Sequence, residues 1–240
     1  MQDIEAIVLD VGGVLLLPDP AVVGAALRES GVDHDTAALS AAHYGGVAAL
    51  DAAPQDWQFG GAPSPYVRGL SIAAGVAEAD LDRAAAALVP VFARPAIEVW
   101  RHETPWARAG LQRLAAAAIP TALVSNADGT VEAQMHLHEF AQVGPGPGLD
   151  VVAIIDSAIQ GVSKPDPRVF DPALAALGLP AERCAYVGDT VSYDVVGARN
   201  AGLEPIHLDP YGTCRADDHP HVATLDQAVD LSLGTNSPSR

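Results

Sequence analysis

Glu5-Ala6-Ile7-Val8-Leu9-Asp10-Val11-Gly12-Gly13-Val14 is the stretch from which the fold of this chain is read. Ile7-Val8-Leu9 is a short apolar, β-branched run that stops at an acid and two glycines. That pattern predicts a buried parallel strand ending in a tight loop, with Asp10 at the strand's carboxyl end. In open α/β sheets this edge is where ligands bind. A carboxylate there can act as a nucleophile or hold a metal, or it can simply end a strand. This stretch alone does not decide among the three.

The rest of the chain supplies the partners. Thr121-Ala122-Leu123-Val124, after Pro120, reads as a second buried strand ending at Ser125-Asn126. Val151–Ile155, Cys184–Val187 (ending at Gly188-Asp189-Thr190) and Pro205–Leu208 read as the third, fourth and fifth. Helical spacing lies between them: a helix capped by Thr104 with Pro105 at its first turn, one over Thr130–Phe140, one carrying Phe170, Leu174 and Leu177, one through Asp194 and Gly197-Ala198, and a last one over Thr224–Leu233. Gly144–Gly148 reads as a loose loop and Gly234–Arg240 as a frayed tail. Strand–helix alternation predicts an α/β fold, a doubly wound parallel five-strand sheet of Rossmann-like type covered on both faces. Right-handed crossovers bring Asp10, Ser125 and Asp189 to one edge.

Residues 18–95 interrupt that alternation. Ala21–Ser30, Thr36–Asp51, Tyr66–Ala74 and Ala79–Phe92 are Ala/Leu/Val-rich at helical spacing, punctuated by Gly31, Pro54, Gly60-Gly61 and Pro63. They predict a helical cap domain of 18–95 inserted in a core domain of 1–17 and 96–240. His43, Tyr44, Trp57, Tyr66 and Arg68 could line a pocket, although isolated aromatics on helices are mostly core.

Composition narrows the function classes. A net charge of −17 argues against nucleic acid and anionic membranes, both of which need a positive surface. It does not exclude a phosphate substrate, because a bound divalent cation reverses the local field. The two cysteines, Cys184 and Cys214, are too few for a disulfide framework or a zinc site. Asp217-Asp218-His219-Pro220-His221 reads as an exposed acidic loop, and His136 and His138, two apart on a helix, do not form a metal pair. No apolar run approaches the ~18 residues of a membrane span, and the acidic start of the chain lacks a signal pattern, so a cytoplasmic protein is expected. Of the 13 basic residues, one is a lysine, Lys164. Arginine substitutes poorly where a compact ammonium is required.

An acid after strand one, a serine after strand two, one lysine in a loop and Gly-Asp-x-x-x-x-Asp after strand four, followed by Gly197-Ala198-Arg199-Asn200-Ala201-Gly202, resemble the haloacid dehalogenase-like (HAD) hydrolase superfamily. The likeness spans nearly the whole chain, and the 115 positions between Asp10 and Ser125 leave room for a helical (C1-type) cap. The resemblance implies a Mg2+-dependent phosphatase of small phosphorylated metabolites. Asp10 would be the nucleophile that forms an aspartyl-phosphate. Ser125, Asn126 and Lys164 would bind the phosphoryl group. Asp10, Asp189, Asp194 and the main-chain carbonyl of Gly12 would hold the metal, Asp194 directly or through water.

One departure stands out. The family's phosphatases usually carry a second Asp two residues after the nucleophile, as acid and then base; here that position is Gly12. The dehalogenase pattern wants a tyrosine there, and the phosphonatase pattern a cap lysine; this chain has neither. A phosphatase with a missing or relocated acid/base remains, with His43, Asp19 and His102 as unranked substitutes. The alternatives are a catalytically impaired phosphate-binding or interaction protein and, behind it, a 2-haloacid dehalogenase.

Overall fold

The computed structural model describes residues 3–53 and 64–234. Trp57, Pro54, the Gly60-Gly61 turn, Pro63 and the tail from residue 235 lie outside the described residues. The described chain forms two compact units, Met1–Leu16 with Glu103–Arg240, and Leu17–His102.

The larger unit is built on β1 (Ala6–Leu9), β2 (Thr121–Ser125), β3 (Ala153–Asp156), β4 (Cys184–Gly188), β5 (Glu204–Leu208) and β6 (His221–Val222). They run parallel in the order β6-β5-β4-β1-β2-β3. The sheet therefore has six strands rather than five. The sixth is only two residues long, too short for alternation to declare it, and sits in the segment read as an exposed loop. In β1, Ile7 pairs with Thr121 and Ala185, and Leu9 with Leu123 and Val187. The chain turns outward on either side of β1, so the crevice expected at a reversal of strand order opens beyond Leu9.

All four residues of β1 are buried, which explains why the strand is continuously apolar rather than alternating. Ala6, Val8, Ala122, Val124, Cys184 and Tyr186 face a cluster with Val169, Phe170, Ala173 and Ala198. On the other side, the helices Ala107–Ala117 and Leu225–Ser232 pack together so closely that a Cβ on Gly110 would fall 2.4 Å from Leu225.

Two local expectations are corrected. Thr104 does not cap a helix; its hydroxyl donates to the Val14 carbonyl at 2.9 Å, which also accepts from Trp106 Nε1 at 3.0 Å. The helix starts at Ala107. Residues 144–148 are not loose. They join Ala141–Gln142 to Leu149–Asp150, which pair with each other, and the buried Gln142 amide accepts from Gly148 N (2.9 Å) and donates to Gly144 O and Gly148 O. Strand three accordingly begins at Ala153 rather than Val151.

The smaller unit has helices at Pro20–Glu29, Leu39–Asp51, Pro65–Ala73 and Leu81–Phe92, close to the four spans read from helical spacing. Asp19 and Ser64 cap two of them, each with Pro at the first turn. Val23, Leu27, Leu39, Leu70, Leu81 and Leu88 are among the residues of its own core. Its boundary reaches His102 rather than 95, because Trp100–Glu103 pairs with Leu16–Pro18. No helix among the described residues is long and apolar enough to cross a membrane.

Candidate active site

Asp10 leaves β1 with its main-chain N–H on the Val187 carbonyl at 2.9 Å. The loop beyond it closes at once: Val11 O accepts from Leu15 N and Leu16 N, and Gly13, at φ 70°, donates to Leu16 O. Gly13 is needed there because other residues enter that left-handed region at a cost. Asp10 Oδ1 accepts from Val11 N at 2.7 Å, which leaves Oδ2 for the lysine.

Lys164 is buried, and its ammonium is held by three oxygens: Asp10 Oδ2 at 3.0 Å, Asp194 Oδ1 at 2.7 Å and the Tyr186 hydroxyl at 2.8 Å. Three partners match its three protons. Its main chain is clasped by Asn126, whose Oδ1 accepts from Lys164 N and whose Nδ2 donates to Lys164 O. The side-chain amide of Asn126 is thus taken up in positioning the lysine, and what the residue can offer a phosphate is its main-chain N–H. Ser125, at the end of β2, is buried beside Asp156 in register. Asp156 accepts from Gly129 N and Val131 N, and Ser157 Oγ from Ala127 N, so β3 fixes the loop that follows Ser125.

Asp189 and Asp194 follow β4. Asp194 sits in a single π-type turn, Val191–Val195. Its Oδ2 accepts from Thr190 N at 2.9 Å and Thr190 Oγ1 at 2.6 Å, and its Oδ1 faces Lys164 and Tyr186. Gly188 makes room for this carboxylate, since a Cβ there would lie 2.3 Å from Asp194 Cγ. Both oxygens of Asp194 are thus engaged, one by Lys164 and Tyr186 and the other by Thr190.

The electrostatics set the two acids apart. Burial pushes Asp10 from an ordinary 3.8 up to about 7; Lys164 opposes this, and Asp194 and Asp189 reinforce it. Burial also works against Asp194, but Lys164 and the hydrogen bonds from Lys164 and Thr190 overcome it and hold that carboxyl below the ordinary value. Burial disfavours the charge on Lys164 too, yet Asp10 and Asp194 raise its pKa, so it stays an ammonium. Asp10, Asp189 and Asp194 present carboxylate oxygens within 4.8 Å of one another. Three buried carboxylates against one ammonium leave uncompensated negative charge, and a hard dication with oxygen ligands fits that deficit.

Tyr186 and Thr190 escaped sequence reasoning: the first reads as core in an apolar strand, the second as the end of a Gly-Asp motif. Among the residues named as pocket candidates, Tyr44 packs on His43, and His43 and Tyr66 pack on Trp100 inside the helical unit, with Tyr66 also against Phe92 and His43 Nδ1 2.9 Å from the Tyr66 hydroxyl. Arg68 pairs with Asp82 at the surface. Asp19, a candidate acid, is occupied by Ala21 N and Arg101 Nε at 2.7 and 2.6 Å. Burial raises its pKa, but these contacts outweigh it and hold the carboxyl below its ordinary value, which leaves Asp19 unsuited to donate a proton.

Comparison with known proteins shows the family and the fold. A family model described as a haloacid dehalogenase-like hydrolase matches residues 4–202. A phosphoserine phosphatase of Thermus thermophilus is 42% identical over 67 residues; the match covers 28% of this chain and only 27% of that relative's length. Two solved structures share the fold across nearly the whole chain. A HAD phosphatase from Thermococcus onnurineus has a TM-score of 0.56 at 16% identity, covering 97% of this chain and 99% of its own. A 2-haloacid dehalogenase from Pseudomonas syringae has 0.54 at 22%, covering 95% and 97%.

Proposed function

The chain belongs to the haloacid dehalogenase-like hydrolases, and on that premise we propose that it is a Mg2+-dependent phosphatase of small phosphorylated metabolites, acting through an aspartyl-phosphate on Asp10. The observation that carries this reading is the buried ammonium of Lys164 between Asp10 and Asp194, at a strand end where the acids outnumber the cations.

In this mechanism the Asp10 carboxylate attacks phosphorus in line. The ester P–O bond breaks, the leaving oxygen departs with the electron pair, and an acyl phosphate forms on Asp10. Lys164 neutralises charge on Asp10 and the transferring phosphoryl, while Ser125 and the main-chain amides after it hydrogen-bond the phosphoryl oxygens. Water then attacks the phosphorus, releasing phosphate and restoring Asp10. Asp10, Asp189 and the Gly12 carbonyl, with Asp194 at most through water, would hold Mg2+, which would supply the positive charge that lets a dianionic ester approach a carboxylate. Gly12 can neither protonate the leaving group nor activate the water, so both the departure of the alcohol and the hydrolysis of the acyl phosphate proceed without that acid/base.

The same glycine favours a second reading, a phosphate-binding protein that has lost turnover. Phosphate release from phosphomonoesters, followed with Mg2+ and after chelation, separates the readings. The phosphatase reading expects turnover that chelation abolishes. Inertness across several esters would support the binding protein, and metal-independent halide release from a 2-haloacid would support a dehalogenase.

A further inference from the structure

A second set of metal-ligating side chains lies on the last two strands and the loop between them. His207 is on β5, Cys214 and His219 are in the connection, and His221 opens β6. Each offers one ligand atom, and the four atoms lie within 4.8 Å of one another. His207 and His219 are only 3% and 7% exposed, so the segment read as an exposed acidic loop in fact sends a histidine inward. Asp209 shapes the turn that delivers the thiol, accepting from Thr213 N, Thr213 Oγ1 and Cys214 N at 2.9, 3.1 and 3.0 Å.

The hydrogen bonds around the two buried imidazoles fix where their protons sit. His207 Nε2 lies 3.0 Å from the Asp189 main-chain carbonyl, which can only accept, so Nε2 carries hydrogen and Nδ1 is bare. His219 Nδ1 lies 2.7 Å from the Asp218 carboxylate, itself paired with Arg199, so Nδ1 carries hydrogen and Nε2 is bare. These two bare nitrogens face each other at 3.1 Å. Opposed lone pairs at that distance repel unless a positive charge stands between them. A shared proton would answer for the two imidazoles, but not for a thiol 4.0 Å from His219 Nε2 and a third imidazole converging on the same point.

We propose that His207, Cys214, His219 and His221 form a structural transition-metal site of zinc type, separate from the carboxylate site. Ligand atoms around a tetrahedral zinc ion stand about 3.3–3.7 Å apart, so small side-chain adjustments close the cluster on one ion. Three imidazoles and a thiolate select zinc or cobalt over magnesium. The Asp189 carbonyl and the Asp218 carboxylate are the outer partners that orient metal-bound histidines. Four protein ligands leave no open position, which marks the site as structural. Its ion would tie β5, the loop and β6 together and, through His207 Nε2–H, anchor the main chain at Asp189.

The test is a Co2+ titration of the chelator-stripped full chain in excess Mg2+, which keeps the carboxylate site filled. The expected result is one Co2+ per chain, with tetrahedral visible bands and a thiolate-to-cobalt charge-transfer band that zinc abolishes. Cys214→Ser should remove the charge-transfer band, and His221→Gln should weaken binding at least about tenfold, both with wild-type circular dichroism. Folded wild-type protein without these bands, or a charge-transfer band that survives Cys214→Ser, would overturn the proposal.

Discussion

Asn126 holds Lys164 by both ends of its peptide unit, accepting from the lysine N–H at 2.8 Å and donating to its carbonyl at 3.0 Å. The residue after β2 therefore fixes the loop whose ammonium reaches Asp10, an arrangement of parts 38 positions apart. Asn126→Ala frees that loop while leaving every charged group in place. Small misplacement of a catalytic group can cost about 100-fold, so kcat should fall about 10- to 100-fold with KM little changed. Asn126→Asp, which keeps the acceptor, should recover part of the loss in steady-state kinetics.

Metal-free protein should lose stability as pH rises, through Asp10. Its folded pKa of about 7 lies above the ordinary 3.8. The stability contribution is therefore complete below about pH 4 and is lost as pH climbs through 7, by at most about 1.4 kcal/mol per pH unit. Asp194, shifted downward, loses its contribution only below its ordinary value. Under chelation, Asp10→Asn should melt higher than wild type at pH 8, with the gap narrowing toward pH 5. Added Mg2+ should stabilise wild type more than the variant. Melting curves by circular dichroism check all three.

Gly12 makes the rate depend on the leaving group. Across a series of phosphomonoesters with Mg2+ present, kcat/KM, which reports cleavage of the ester, should fall steeply as the pKa of the alcohol rises. Gly12→Asp restores a proton donor, and general acid catalysis is worth about 100-fold or more. Alkyl phosphates should therefore gain about that factor and activated aryl phosphates much less. A kcat/KM indifferent to leaving-group pKa in the unaltered protein would mean that another residue supplies the proton; an indifferent kcat alone would mean that hydrolysis of the acyl phosphate limits turnover.

Gly188→Ala should disable the site from beneath. The added methyl would meet Asp194 Cγ at 2.3 Å, pushing the carboxylate away from Lys164, Tyr186 and Thr190. Overpacking of this kind costs about 1–3 kcal/mol. Urea denaturation should report that loss, and turnover should drop even in variant protein that remains folded.

The five longer strands were legible as short apolar runs closed by turn residues, the four main helices of the smaller unit by their helical spacing, and Lys164 because no other lysine competes with it. What escaped depends on contacts that local pattern does not encode. Tyr186 lies in an apolar strand as any core residue would, and only the fold sets its hydroxyl between Lys164 and Asp194. Thr104 followed by Pro105 has the form of a helix cap, yet a carbonyl 90 positions away claims the hydroxyl. His207 and His219 sit in different segments, and the two-residue strand that brings His221 beside them is below the length at which alternation can be seen. Asp10, Lys164, Asp189 and Asp194 were foreseen at one edge; that Asp194 and Tyr186 share the lysine with Asp10 emerged only from the hydrogen bonds.

The central claim, that Asp10 is the nucleophile of a Mg2+-dependent phosphatase, is tested most directly by aryl phosphate hydrolysis in wild type and Asp10→Asn side by side, with Mg2+ saturating. Wild type should turn over, and the variant should lose more than about 1,000-fold in kcat while remaining folded. A variant that hydrolyses the ester at close to the wild-type rate, or a wild type as inert as the variant, would contradict it.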